Sequence, residues 1–191
     1  MENKTMKWER VKITKTKICT LMKNVKYKTY GNYRIKHKIN NVIIIVERRK
    51  EMSKIAVVFW SGTGNTGVMA TNVAEGAKEA GAEVDVIYVS DFSADKMDDY
   101  DAIAFGCPSM GAEQLEESEF EPVFLACEPK LNGKKIALFG SYGWGDGEWM
   151  RNWEETCKND GAVLATDFVI CNEAPDDDAI EQCKALGKAL V

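Results

Sequence analysis

The chain has 191 residues, 45% of them hydrophobic, which is enough for one substantial core. Its formal charge of −5 conceals two unlike segments: residues 1–51 carry fifteen Lys/Arg against four Asp/Glu, a net +11, and residues 52–191 carry ten against twenty-six, a net −16. The single histidine, His37, lies in the basic segment, so the acidic segment has none for a hydrolytic triad, for zinc or for imidazole acid/base chemistry.

In chain order, residues 1–51 are rich in Lys, Asn, Ile, Thr and Tyr and lack a helical stripe or turn grammar. The one apolar run, residues 42–46 (VIIIV), is far too short to span a bilayer, and no signal-peptide pattern follows it. The segment is expected to be a disordered basic extension or a misassigned leader. Arg48-Arg49 can be encoded as a bacterial ribosome-binding sequence, at a suitable distance before a start at Met52. The six cysteines, Cys19, Cys107, Cys127, Cys157, Cys171 and Cys183, form no C-x-x-C and mostly lie in apolar runs. They read as reduced, buried thiols in a cytoplasmic protein.

From Ser53 onward strand-like and helix-like runs alternate. The strands are expected at 54–60, 83–89, 101–106, 134–142 and 162–171. Apolar helical faces follow at Met69/Val73/Ala77/Ala80, Phe120/Val123/Phe124/Cys127, Trp149/Met150/Trp153/Cys157 and Ile180/Cys183/Leu186/Leu190. The connection 90–100 is short, about a turn of helix. Near-continuous apolar strands with helical crossovers predict an α/β three-layer sandwich around a five-stranded parallel sheet of order 2-1-3-4-5. Such a sheet binds its ligand at the carboxyl ends of strands 1 and 3.

Three loops converge there. The first, SGTGNT at 61–66, opens a helix, where free backbone N–H groups and the dipole attract phosphate. Its hydroxyl and amide side chains suit a terminal phosphate, and the loop lacks the lysine of a nucleotide-hydrolysing P-loop. Gly62, Gly64 and Gly67 also spell the dinucleotide pattern G-x-G-x-x-G, with Asp85 at the distance of a ribose-binding carboxylate, although Asp85 falls inside its strand rather than at the end. The second loop, GCPSMGAEQLEE at 106–117, contains a turn at Met110-Gly111-Ala112-Glu113; the third, GSYGWGDGEWM at 140–150, presents Tyr142 and Trp144 among four glycines.

WSGTGNT, CPSMGAE and LFGSYGWGDGEWM, in this order and spacing, resemble the short-chain bacterial flavodoxins of the clostridial type, over residues 52–191 and none of 1–51. The resemblance implies the flavodoxin sandwich and non-covalent FMN. Ser61, Gly62, Thr63, Gly64, Asn65 and Thr66 would hold the phosphate, and Met110 and Trp144 would flank the ring. Glu113 would accept from the flavin pyrimidine N–H, with Ser109, Met110, Gly111 and Ala112 and with Ser141, Tyr142, Gly143, Trp144 and Gly145 completing the pocket through their backbone. The peptide after Gly111 would rotate to stabilise the neutral semiquinone, a rotation that glycine keeps inexpensive; Ala112 stands where relatives carry polar residues.

The implied function is a low-potential one-electron carrier, not an enzyme, shuttling electrons between redox proteins through the semiquinone/hydroquinone couple. The acid excess, with clusters at Asp98/Asp99/Asp101, at Glu113/Glu116/Glu117/Glu119/Glu121 and at Asp176/Asp177/Asp178, opposes adding an electron and would steer redox partners with basic docking faces. A monomer is expected, with neither nucleic acid nor membrane as partner. The alternative is an FMN-dependent NAD(P)H:quinone-type reductase on the same fold.

Overall fold

The computed structural model describes residues 7–11, 33–36, 45–50 and 52–191. Met1–Met52 and Ser53–Val191 are two separate compact units. In the first, β1 (Lys7–Val11), β2 (Tyr33–Lys36) and β3 (Ile45–Lys50) form an antiparallel sheet with β3 in the centre. Most of the expected extension or leader, with His37 and Cys19, lies outside the described residues.

In the second unit β4 (Lys54–Phe59), β5 (Glu83–Tyr88), β6 (Ala102–Gly106) and β7 (Lys135–Tyr142) run parallel in the order β5-β4-β6-β7. Helices α1 (Asn65–Glu79), α2 (Phe120–Cys127), α3 (Glu148–Asn159) and α4 (Asp177–Ala189) cover the faces. The connection after β5 is two 3-10 turns, Val89–Asp91 and Ala94–Asp99. With the fifth position beyond β7, the order is 2-1-3-4-5.

That fifth position is filled differently from the single strand expected at 162–171. Two pieces, β8 (Val163–Leu164) and β9 (Val169–Asn172), pair with the two ends of β7. Leu164 lies opposite Ile136 and Val169 opposite Phe139, so three steps along β7 face five along its partner. Thr166 and Asp167, polar and exposed, stand in the surplus, where water serves them better than a ladder position.

Strand alternation splits the core into two halves. Ile55, Val57, Ala104 and Phe139 pack with Met69, Val73, Cys183 and Leu186 on the α1/α4 face. Ala56, Val58, Phe105 and Leu138 pack with Phe120, Phe124, Met150 and Trp153 on the other. There Trp153 meets Phe120 and Phe124, and Phe105 meets Phe124, edge to face at centroid distances of 5.3–5.4 Å, a favoured arrangement of ring quadrupoles. The five described cysteines are free and buried, and burial pushes Cys127 and Cys171 up to about 11 and Cys157 and Cys183 up to about 12. Among the described residues no helix is long and apolar enough to cross a membrane.

Helices α1 and α4 approach through a reciprocal pair of glycines. A Cβ on Gly187 would stand 2.0 Å from the Val73 carbonyl oxygen, and one on Gly76 would stand 2.0 Å from that of Lys184. Both obstacles are backbone, so only separation of the helices could relieve them. Gly187→Ala is therefore expected to destabilise the protein by about 1–3 kcal/mol, even though alanine gains about 1 kcal/mol in helix propensity. Urea unfolding checks this, and an alanine variant as stable as the parent would contradict the close approach.

Candidate functional site

Just past the carboxyl ends of β4, β6 and β9, backbone amides bond to the last residues of the neighbouring strand. Trp60 N–H donates to the Gly106 carbonyl at 3.0 Å, Cys107 N–H to Phe139 at 3.1 Å, Ser109 N–H to Ser141 at 2.9 Å and Glu173 N–H to Tyr142 at 2.7 Å. The loops so joined enclose a cleft of about 500 Å³. The first loop lines it with Trp60, Gly62, Thr63 and Asn65; the second with Pro108, Ser109 and Met110; the third with Ser141, Tyr142 and Gly143. A fourth wall, Glu173 and Ala174 after β9, was missed in the sequence. Glu173 takes a left-handed φ of 54°, which leaves no mark in the sequence, but the order 2-1-3-4-5 does put the end of strand 5 beside that of strand 4.

The first loop is held by its own serine. Ser61 Oγ accepts from Gly64 N–H at 3.1 Å and Gly67 N–H at 3.2 Å, satisfying amides at the start of α1. Thr63 is exposed, whereas Thr66 is fully buried, its hydroxyl 3.0 Å from that of Ser141. That contact joins the first loop to the end of β7 across 75 residues. Trp60 covers Gly62: a Cβ there would lie 2.8 Å from the indole ring. Ser61, Gly64 and Thr66 do not themselves line the cleft.

The second loop closes into a tight turn. Met110 N–H donates to Gln114 carbonyl at 2.8 Å and Gln114 N–H returns to Met110 carbonyl at 2.9 Å. Two left-handed residues, Gly111 at φ 51° and Glu113 at φ 52°, make the turn possible. Met110 is 39% exposed at the cleft. Gly111, Ala112 and Glu113 do not line it, and neither do Trp144 and Gly145 of the third loop. Trp144 stands 63% exposed, and the Glu113 carboxylate lies on the first amides of α3.

Behind the second loop Glu116 is only 6% exposed. Its carboxylate accepts from the amides of Ser118 at 2.9 Å, Glu119 at 2.8 Å and Phe120 at 2.9 Å, and its own N–H donates to Cys107 Sγ at 3.3 Å. Burial alone would raise its pKa, but the three amides outweigh burial and hold the carboxyl below the usual carboxylate range.

Asp85, the residue that a dinucleotide site would place on a ribose, is engaged elsewhere. It pairs with Ala56 in mid-strand, accepts from the Tyr100 hydroxyl at 2.9 Å and lies 3.7 Å from Lys54 Nζ. Burial, and then the Asp85 carboxylate, push the Tyr100 hydroxyl up to about 12.

The family model for flavodoxin matches residues 57–187. The chain belongs to the flavodoxin family. It is 45% identical over 135 residues to the flavodoxin of Megasphaera elsdenii, covering 71% of this chain and 96% of that one. It is 47% identical over 134 residues to the flavodoxin of Clostridium beijerinckii, covering 70% and 96%. The solution structure of two-electron reduced Megasphaera elsdenii flavodoxin superposes with a TM-score of 0.67 at 46% identity, covering 71% of this chain and 97% of that one. As a flavodoxin this chain is an FMN-binding electron carrier serving redox proteins.

The residues present fit FMN. Thr63 and Asn65 meet the cleft beside the amino end of α1, whose first amides have no partner within the helix. Trp60, Met110 and Tyr142 give the cleft apolar and aromatic walls of the kind a flavin ring would fit. No Lys or Arg lines the cleft, so a phosphate there is met by neutral donors.

Glu116→Gln keeps the shape but loses the charge that draws the three amides together. The variant is expected to be less stable at neutral pH by on the order of 1–3 kcal/mol. Because the folded pKa is depressed, this increment is present above the unfolded value of roughly 4.3 and is lost as pH falls through the folded one. Thermal unfolding of both proteins from pH 7 to 3 should show the gap closing at the acid end; a constant gap would refute the assignment.

Proposed function

We propose that the protein is a low-potential one-electron carrier without a substrate of its own, acting as a cytoplasmic monomer, and that residues 52–191 are its FMN-binding domain. The observation that carries this reading is a cleft free of basic side chains on a unit with twenty-six Asp/Glu against ten Lys/Arg.

Bound FMN supplies the one-electron redox chemistry. Ser61, Gly62, Thr63, Gly64, Asn65 and Thr66 hold the phosphate, the exposed members by direct donation and the buried Thr66 by keeping the loop seated on Ser141. Met110 and Trp144 cover the ring, and their exposure before binding leaves apolar surface to be buried on it. Ser109, Gly111, Ala112, Ser141, Tyr142, Gly143 and Gly145 shape the walls with their backbone, and Glu113 offers a carboxylate oxygen to the ring's N–H. Gly111, at φ 51°, keeps its following peptide free to reorient.

The acid excess works on both potential and partner. A carboxylate about 10 Å from the ring opposes an added electron by roughly 0.4 kcal/mol in water before screening, so one is negligible and a field of them is not. The same field draws redox proteins toward the cleft by their basic faces. A nicotinamide-dependent reductase would need a further surface for its nucleotide, and the cleft lining offers no basic residue to hold one.

Residues 52–191, expressed alone and loaded with FMN, should show two resolved one-electron steps in an anaerobic reductive titration followed by absorbance. They should consume NADPH with quinone only when a separate reductase is added; rapid consumption by the protein alone would make it a reductase. If Trp144 covers the ring, Trp144→Ala should weaken FMN binding by roughly 1–3 kcal/mol in a fluorescence titration. Unchanged affinity would remove Trp144 from the site.

A further inference from the structure

Contact with the ring would explain a carboxylate at position 113, but not how this one is held. Glu113 has a left-handed backbone, φ 52°, which costs a residue with a side chain on the order of 1 kcal/mol. From there its Oε1 accepts from Gly147 N–H and Glu148 N–H, each at 3.0 Å. Those are the N-cap and the first residue of α3, and α3 has no cap from its own N-cap side chain. A residue 34 positions away in the chain supplies the anion that a helix start favours.

The third loop is shaped to receive it. At Gly145 a Cβ would stand 2.5 Å from both Cδ and Oε1 of Glu113, so the carboxylate rests on a bare α-carbon. On the same stem Arg151 donates from Nη1 to the Asp146 carbonyl at 2.7 Å and from Nη2 to the Asp146 carboxylate at 2.6 Å. Residues 145–148 are thus anchored twice, and Trp144 projects from the anchored stem. At the other end of the link, the reciprocal Met110–Gln114 hydrogen bonds make the second loop a closed unit.

We propose that Glu113 is a positioning residue that clasps the Trp144 loop to the Met110 turn through Oε1, leaving Oε2 for the FMN ring, so that the two walls of the cleft are set as one piece. The clasp belongs to the protein without cofactor; only the use of Oε2 rests on the FMN reading above.

Amide hydrogen exchange of the apoprotein, read at Gly147 and Glu148, tests the clasp directly. Glu113→Asp keeps the charge and tolerates the left-handed backbone but is one methylene too short. It should speed exchange at both amides by about tenfold, the loss of a hydrogen bond worth about 1.4 kcal/mol. Glu113→Gln, which retains a carbonyl oxygen of the right reach, should keep exchange within about threefold of the parent. Should the aspartate variant not fold, Gly145→Ala displaces the carboxylate from the other side and should accelerate the same two amides.

FMN release provides the second readout. The acceleration caused by Glu113→Asp should shrink by about threefold or more in a Trp144→Ala background, because part of the effect passes through that loop; the acceleration caused by Glu113→Gln should be the same in both backgrounds. Exchange unchanged in the aspartate and Gly145→Ala variants, or an aspartate effect independent of Trp144, would overturn the clasp. A glutamine variant that holds exchange and also releases FMN at the parental rate would remove the ring contact while leaving the clasp standing.

Discussion

The hydrogen-bond ladder of the parallel sheet does not stop where the strands stop, and the site depends on that. Trp60, Cys107, Ser109 and Glu173, each just past its own strand, donate an amide to the end of β6 or β7, so the loops that carry them are tied to a neighbouring strand before any side chain acts. Loops of this kind would otherwise carry the full entropy of irregular chain, on the order of 1–2 kcal/mol per residue to immobilise. Here the sheet has already ordered their first residues. The glycines at the seam follow from the same constraint: a Cβ on Gly140 would stand 2.1 Å from the Cys107 carbonyl oxygen, and one on Gly106 would stand 2.2 Å from the Phe139 ring.

Above that seam, polar contacts inside the protein fix the loops, and few of them involve ions on both sides. Ser61 on two amides, Thr66 with Ser141, Glu116 on three amides and Glu113 on two are hydrogen bonds to backbone or hydroxyl groups. Among the described residues, the Arg151–Asp146 ion pair is the one that touches the third loop, and it lies on the solvent side with half of Arg151 exposed. Carboxylates can therefore crowd around the cleft without each needing a cation. Amides with fixed dipoles stabilise two of them, and water stabilises others.

Much of this was legible in the sequence, because it is written locally. The apolar periodicities located the helices and strands, and the turn residues marked the three loops. The parts that were not legible depend on distant segments. Thr66 reads as a phosphate donor and Ser141 as a backbone wall of the pocket, and nothing in either motif says that their hydroxyls meet across the sheet. Glu113 read as a ligand contact because its reach to Gly147 and Glu148 depends on how far the two loops stand apart. The break in the fifth strand is an intermediate case. The run from Ala162 to Cys171 looks continuous by hydrophobicity, yet the adjacent polar pair Thr166-Asp167 is the place where an edge strand can leave the ladder, and it does. The wall formed by Glu173 and Ala174 follows from that break, since it hangs from the second piece.

A phosphate held as proposed, in a cleft that no Lys or Arg lines, separates two properties that most anion sites tie together. Contacts between a phosphate and amides or hydroxyls act over hydrogen-bond distances and displace few counterions, whereas attraction between an acidic surface and a basic partner acts across a Debye length of about 10 Å at 0.1 M salt. Ionic strength then weakens encounter with a basic partner, whereas for the anionic cofactor it can only relieve repulsion from the same acid field. A loaded carrier of this design can be stripped from its partners by salt, or eluted from an anion-exchange resin, and still come away yellow.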